Sequence, residues 1–439
     1  MKASRKLFCL TPLCALLAAG SAYATNGMLM EGYGPISAGM GGVSQAIDHG
    51  SAAMSQNPAT LATMPDGSSR LDIAVGVLGP DVSSSMMGMT AKSGGTSYLM
   101  PAVGYVKRSG AYTYGIGMFA QGGMGTEYEA TSFLAMGSGA PVRSEVAFGN
   151  IIFPLAYQVS PDVAVGLTMK YIWSSMDMLM AASGAQLGGL VTGASGNLAG
   201  ALAPLAGAPW ARINFSDDNK FTGAARATGF GASLGATFKL NKDATMGASY
   251  QLKSSLSDMK TGATTASMTA FGGFVDQGQI TIIDFQMPSV LAIGAAWQAT
   301  PSLLLAADVR SIGWSDSMKT FKLRYDSAQM GGAVSFGLPQ DWKDQTVVNV
   351  GAAWKTNEQL TLRAGMNLAD NPVPDSLVNP LFPATVKNHF TLGLGYQLST
   401  AGDFNMAVTM APKVTVTTPQ GIDISHAQTN WQFLYSHRF

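Results

Sequence analysis

The sequence predicts an all-β membrane protein, a fourteen-stranded antiparallel transmembrane β-barrel. Three observations carry that expectation: period-two patterning from Arg70 onward, connections that alternate between short and long, and an apolar composition without helical spans. Charged residues make up 12% of the chain and hydrophobic ones 47%, with 52 Gly. Even so, after the N-terminus no run reaches the roughly 20 apolar residues that a membrane helix needs. Length does not decide the domain count, because single β-barrels reach 439 residues.

Met1 to Ala24 begins with Lys2, Arg5 and Lys6, continues through the apolar stretch Leu7 to Ala19, and ends in Ala22-Tyr23-Ala24. This is the order of a secretory signal peptide, with cleavage expected after Ala24. Cys9 and Cys14, the 2 cysteines of the chain, both fall inside it, so the expected mature protein has no thiol for disulfides, metals or nucleophilic catalysis. A lipid anchor on Cys14 is the rival reading, and Leu13 stands where such sites want a small residue. Basic and acidic residues number 26 each, and no basic tract suggests nucleic acid.

From Arg70 the residues alternate. In Leu360 to Leu368 the even positions are apolar and the odd ones polar or Gly, as a strand with one greasy face requires. The same holds for Leu234 to Leu240 and for Phe390 to Leu398. Turn residues separate the strands at Arg108-Ser-Gly110, Ser160-Pro-Asp162, Asn241-Lys-Asp243, Thr300-Pro-Ser302, Thr356-Asn-Glu358 and Thr400-Ala-Gly402. Seven longer, low-periodicity connections lie near residues 80–96, 121–145, 178–225, 258–279, 316–344, 370–385 and 411–426, so that thirteen connections join fourteen strands. Short turns at one end and long loops at the other mark an outer-membrane barrel, which pairs every backbone group by joining its own edges. Trp431, Phe433, Tyr435, His437 and Phe439 alternate with Gln432, Leu434, Ser436 and Arg438 to close the chain on an aromatic residue. Trp173, Trp297, Trp314 and Trp354 fall near predicted strand ends, where amphipathic rings favour the membrane interface.

Three stretches carry a family resemblance: Gly34 to Met64, which includes Asn57-Pro58-Ala59; Met287 to Ser315; and Ala369 to Ser376. With them the chain resembles the FadL-type outer-membrane transporters of long-chain fatty acids and other hydrophobic compounds. The resemblance implies a signal peptide (1–24), an N-terminal hatch inside the barrel (25–68) and a barrel (69–439). It also implies a third strand kinked inward to open the wall, a greasy capture groove among extracellular loops, and neither cofactor nor metal. Expected partners are a long-chain fatty acid or hydrocarbon, outer-membrane lipid with lipopolysaccharide, and the barrel assembly machinery that reads the terminal strand; a monomer is expected.

Asn57, Pro58 and Ala59 are the hatch motif: Asn57 can cap a short helix that Pro58 opens. Thr25, Asn26, Gly27 and Met28 are the expected gate at the hatch N-terminus. Gly122 and Gly123, just after the third strand, are the candidates for the kink, since clustered Gly permits bulges. The loop carrying Leu187, Leu190, Val191, Leu198 and Leu202 has almost no charge and, with Phe271 and Phe274, would form the capture groove, exposed apolar patches usually being binding sites. A self-packed helical cap is the alternative. The 26 Met suit a pliable apolar lining. For a ligand carboxylate the resemblance implies a basic residue inside the barrel; Arg310, Lys319, Lys322 and Arg324 are candidates, with Lys322 nearest the family's position. Tyr171 to Asp177, at the end of the fifth strand, holds no basic residue, which leaves room for neutral hydrocarbons. An enzyme is not expected: His49, His389, His426 and His437 form no convincing dyad with a nucleophile. A hydrophilic porin would need a charged lumen and no hatch, and an adhesin would need no plug.

Overall fold

The computed structural model describes residues 26–219 and 222–439. The signal segment 1–24 and Thr25 of the expected gate lie outside the described residues. In chain order the strands are β1 (Ser69–Leu78), β2 (Pro80–Met86), β3 (Met89–Lys92), β4 (Tyr98–Ser109), β5 (Tyr112–Tyr128), β6 (Val142–Ser160), β7 (Val163–Ala182) and β8 (Val191–Ser195). Then follow β9 (Ala211–Phe215), β10 (Ala225–Lys239), β11 (Ala244–Gln251), β12 (Ser255–Leu256), β13 (Met259–Lys260), β14 (Ala266–Ala270), β15 (Phe274–Ile283) and β16 (Val290–Thr300). The last are β17 (Leu303–Ile312), β18 (Thr320–Ser327), β19 (Ala333–Pro339), β20 (Gln345–Lys355), β21 (Leu360–Ala369), β22 (His389–Gln397), β23 (Gly402–Thr417) and β24 (Asp423–Arg438).

The strand count is a correction to the sequence reading: one 24-stranded sheet is present, and ten of its strands lie in or beside the long connections. All the connections read as low-periodicity loops except 370–385 contain paired strand residues, most in strands too short for alternation to register. The wall closes on itself, running from β1 through β4, β5, β6, β7, β10, β11, β16, β17, β20, β21, β22 and β23 to β24, which pairs back with β1. Beyond the wall, β9, β14, β15, β18, β19 and β8 continue outward from β7 as an added sheet. The six short turns sit where the sequence places them, between β4 and β5, β6 and β7, β10 and β11, β16 and β17, β20 and β21, and β22 and β23.

Period-two patterning now has a direction. Leu291, Ile293, Val309, Leu362 and Leu392 face outward, as do Trp297, Trp354 and Trp431, while inward positions carry Asn349, Asn367, Thr391 and Gln432. A greasy outside and a polar inside are what a barrel in lipid demands. Trp314 departs from the expectation: it is fully buried, its ring centroid 5.0 Å from that of Trp342.

The segment before β1 fills the lumen. A helical turn over Pro35–Ala38 and 3₁₀ helices over Gly50–Ser55 and Pro58–Thr63 are almost wholly buried. Asn57 caps the last of these, its side chain accepting from the Ala59 N–H at 3.1 Å, and its amide donates to the carbonyls of Gln45 (2.8 Å) and Ala236 on β10 (3.1 Å). Glycines in the wall leave room for it. A Cβ on Gly235 would lie 2.1 Å from Asn57 Oδ1, and one on Gly247 1.7 Å from the Gln45 carbonyl.

Candidate functional site

β4 and β5 form a ladder from Ser109↔Tyr112 to Ala102↔Phe119, and there it stops. Above that rung Tyr98 to Pro101 still pair with β1, and Gly122 to Tyr128 still pair with β6, but not with each other. The cause is local. Gln121 is extruded as a bulge between Ala120 and Gly122, which swings β5 inward, and Gly122 has a φ of 154°. Pro101 has no N–H to offer a rung. The gap is bridged again farther up, where the Gly94 N–H donates to the Glu127 carbonyl at 2.7 Å.

Unpaired strand edges are costly in a membrane, and here the hatch supplies partners. Tyr33 donates its hydroxyl to the Gln121 carbonyl at 2.6 Å, and Leu29 makes a bridge with Gly122. Burial raises the Tyr33 phenol above its ordinary pKa, so it stays a donor. The hatch itself is fastened to β17: Asp308 accepts from the Ser44 N–H at 2.6 Å and the Gln45 N–H at 3.2 Å, and Arg310 donates to the carbonyls of Glu31 and Gly42.

Behind the gap lies a cavity of about 540 Å³, within the usual range of roughly 300–1,000 Å³ for ligand sites. Leu99, Met100 and Pro101 border it on one side, Met118, Ala120 and Gly122 to Gly125 on the other, and Val146 to Gly149 behind. Deeper in the lumen a second space of about 30 Å³ is ringed by Met28, Met124, Met176, Met178, Met180 and Met318, with Phe285, Phe321 and Trp342. Its free space is that of a water or two, so a ligand enters only if the flexible Met side chains yield.

Gly122 and Gly123, read from the sequence as the kink, both line the wall cavity. From inside, Gly27 lines the same cavity and Met28 the inner site, while Asn26 lines neither. Gly27, at a φ of 66°, is held so closely that an added Cβ would sit 2.7 Å from Trp314 and 2.9 Å from Trp342. The basic candidates are corrected. Lys322 is exposed on β18, with its neighbours Phe321 and Leu323 facing inward instead; Lys319 is exposed too, Arg324 pairs with Asp326 at 2.7 Å, and Arg310 is committed to the hatch. The capture groove is likewise not open. Leu187 and Leu198 are buried in the main core, Leu190, Val191, Leu202 and Phe274 pack against it, and of the set only Phe271 is exposed, its ring 6.4 Å from Trp210. That loop packs down onto the main core, where its leucines meet residues distant in sequence. Sequence reasoning put Trp314 at the membrane interface and missed Trp342; the one signal available was that Trp314 stands just before the long connection 316–344 and Trp342 within it.

A family model described as outer membrane protein transport protein (OMPP1/FadL/TodX) matches residues 13–436. The crystal structure of the P. putida toluene transporter TodX is 32% identical, with a TM-score of 0.84 over 93% of this chain and 99% of that one. The Ralstonia pickettii toluene transporter TbuX is 28% identical, with a TM-score of 0.79 over 93% of this chain and 99% of that one. A Pseudomonas aeruginosa FadL homologue, 15% identical with a TM-score of 0.70 over 94% of this chain and 99% of that one, shares the fold. A Chlorobium limicola protein described as an uncharacterized protein in the phosphoenolpyruvate carboxykinase gene 5' region is 45% identical over 84 residues, 19% of this chain, and the chain spans 41% of that protein's length.

Proposed function

Because the chain belongs to the FadL/TodX family of outer-membrane transport proteins, whose members carry hydrophobic compounds, we propose that it admits neutral hydrocarbons of monoaromatic size and releases them sideways through the gap between β4 and β5. The observation that carries this reading is the gap itself, opening from a mainly apolar cavity, with Glu145 and Arg226 also in its lining, onto the lipid-facing wall. The similarity to toluene transporters supports the substrate class. So does the inner site, whose lining holds no charged side chain, while Lys322 is exposed and Arg310 is bonded to hatch carbonyls.

The energetics fit a carrier that must let go. An aromatic ring buries about 150–250 Å², worth roughly 4–6 kcal/mol gross at about 25 cal/mol per Å², less the cost of ordering the ligand. The net affinity is then about millimolar or weaker, with tens of micromolar as the upper bound: enough to draw a hydrocarbon from water, not enough to trap it. The ligand enters from the end bearing the long connections, displaces the Met side chains of the inner site, and leaves through the wall into the bilayer, avoiding the fastened hatch. Residues 1–24 serve as the export signal for this placement, and the aromatic terminal strand is what the assembly machinery reads. Uptake of radiolabelled toluene and dodecanoate by cells producing the protein tests the proposal: toluene uptake above vector-only cells, without a matching gain for dodecanoate, is expected, and the reverse preference would overturn it.

A further inference from the structure

Before the helical turn at Pro35–Ala38 the hatch falls into two parts. The first, Asn26 to Met30, is a turn closed on itself: the Leu29 N–H donates to the Asn26 carbonyl at 3.1 Å, and the Asn26 amide to the Met30 carbonyl at 3.3 Å. A bridge from Leu29 to Gly122 ties that turn to β5. The second part, Glu31 to Tyr33, is clamped to the wall from other strands. Arg310 of β17 donates to the Glu31 carbonyl, and Gln432 of β24 donates to the Gly32 carbonyl at 3.3 Å. From that clamp the buried Tyr33 reaches β5 and gives its hydroxyl to the Gln121 carbonyl at 2.6 Å. Gln121 is the extruded residue of the bulge, so the bond falls where β5 turns away from β4.

We infer that Tyr33 is a positioning residue for release: its hydroxyl holds the bulge inward and so keeps the gap between β4 and β5 open. The inference rests on the lateral-release reading above. Tyr33 lines neither the wall cavity nor the inner site, so it acts through β5 and touches no ligand. The turn ahead of it can then move without the wall closing. Without the hydroxyl the Gln121 carbonyl loses a donor in a buried place, which is costly. Continuing the register Ala102↔Phe119 sets Gln121 opposite Met100, on an edge of β4 that has no partner. Pairing there draws β5 back into the ladder and narrows the gap.

Tyr33→Phe keeps the ring and removes the hydroxyl, and heat-modifiable gel mobility checks that the barrel is intact. Three measurements compare it with wild type: hydrogen exchange by mass spectrometry in lipid nanodiscs, toluene uptake by cells, and naphthalene titration of the purified protein. Expected are at least fivefold slower exchange in peptides covering 98–101 and 121–125, at least a fivefold lower maximal uptake rate, and a naphthalene affinity within twofold of wild type. Exchange within twofold of wild type, or faster, would overturn the inference and make Tyr33 an ordinary hatch contact; so would undiminished uptake. Wild-type peptides 98–101 and 121–125 that exchange as slowly as those of β20 and β21 would instead overturn the lateral-release reading, and the role of Tyr33 with it.

Discussion

Replacing Asn57 by Ala should loosen the hatch while leaving the wall closed. Asn57 is fully buried and makes three hydrogen bonds: one accepted from the Ala59 N–H and two donated to the carbonyls of Gln45 and Ala236. Alanine leaves all three backbone groups without that partner, in a space where glycines at 235 and 247 hold the wall too close for a bulkier rescue. At about 1 kcal/mol net for each bond, the loss is on the order of 3 kcal/mol, roughly a hundredfold rise in the population of the detached hatch. Hydrogen exchange in detergent micelles reads this directly. Amides from Ala59 to Met64 should exchange about a hundred times faster, while those of β20 and β21 keep their wild-type protection. Less than a threefold change at Ala59 to Met64 would refute the reasoning.

Gly122→Ala places a Cβ 2.3 Å from the Met28 carbonyl; the overpacking costs about 1–3 kcal/mol and should displace residues 26–30, seen as loss of amide protection at Leu29. Met178→Asp puts a carboxylate among the buried sulfurs of the inner site. Desolvating that charge and losing apolar lining should weaken naphthalene binding at least tenfold by fluorescence titration, with gel mobility unchanged. Gly27→Ala forces a left-handed residue against Trp314 and Trp342 and should raise tryptophan accessibility to acrylamide quenching.

Much of the architecture was legible because the rules behind it are short-range. Alternation places Leu362 and Leu392 outward whatever their partners are, and Pro, Gly and Asn set the six tight turns from local backbone preference. The kink was readable for the same reason, as clustered Gly beside Gln121. What escaped is what depends on distant partners. The connections 178–225, 258–279 and 316–344 hold strands that pair with one another, and all but the ten-residue β15 are eight residues or fewer, too short for a usable period. Whether Leu187 lines a groove or a cap, and whether Trp314 lies at the membrane interface or beneath Gly27, is decided by packing across hundreds of residues. Lys322 shows the limit most simply: a one-residue shift in strand phase turns a side chain from lumen to outside.

The route of release is most directly tested with a photoactivatable diazirine derivative of toluene, loaded onto the protein in lipid vesicles and irradiated, with labelled residues identified by peptide sequencing. Release through the wall predicts adducts at Leu99, Met118 and Met124, with the buried hatch residues Met40 and Met54 left unlabelled. Adducts running down the hatch through Met54 and Met40 toward the short-turn end, with the β4 and β5 edges clean, would contradict it.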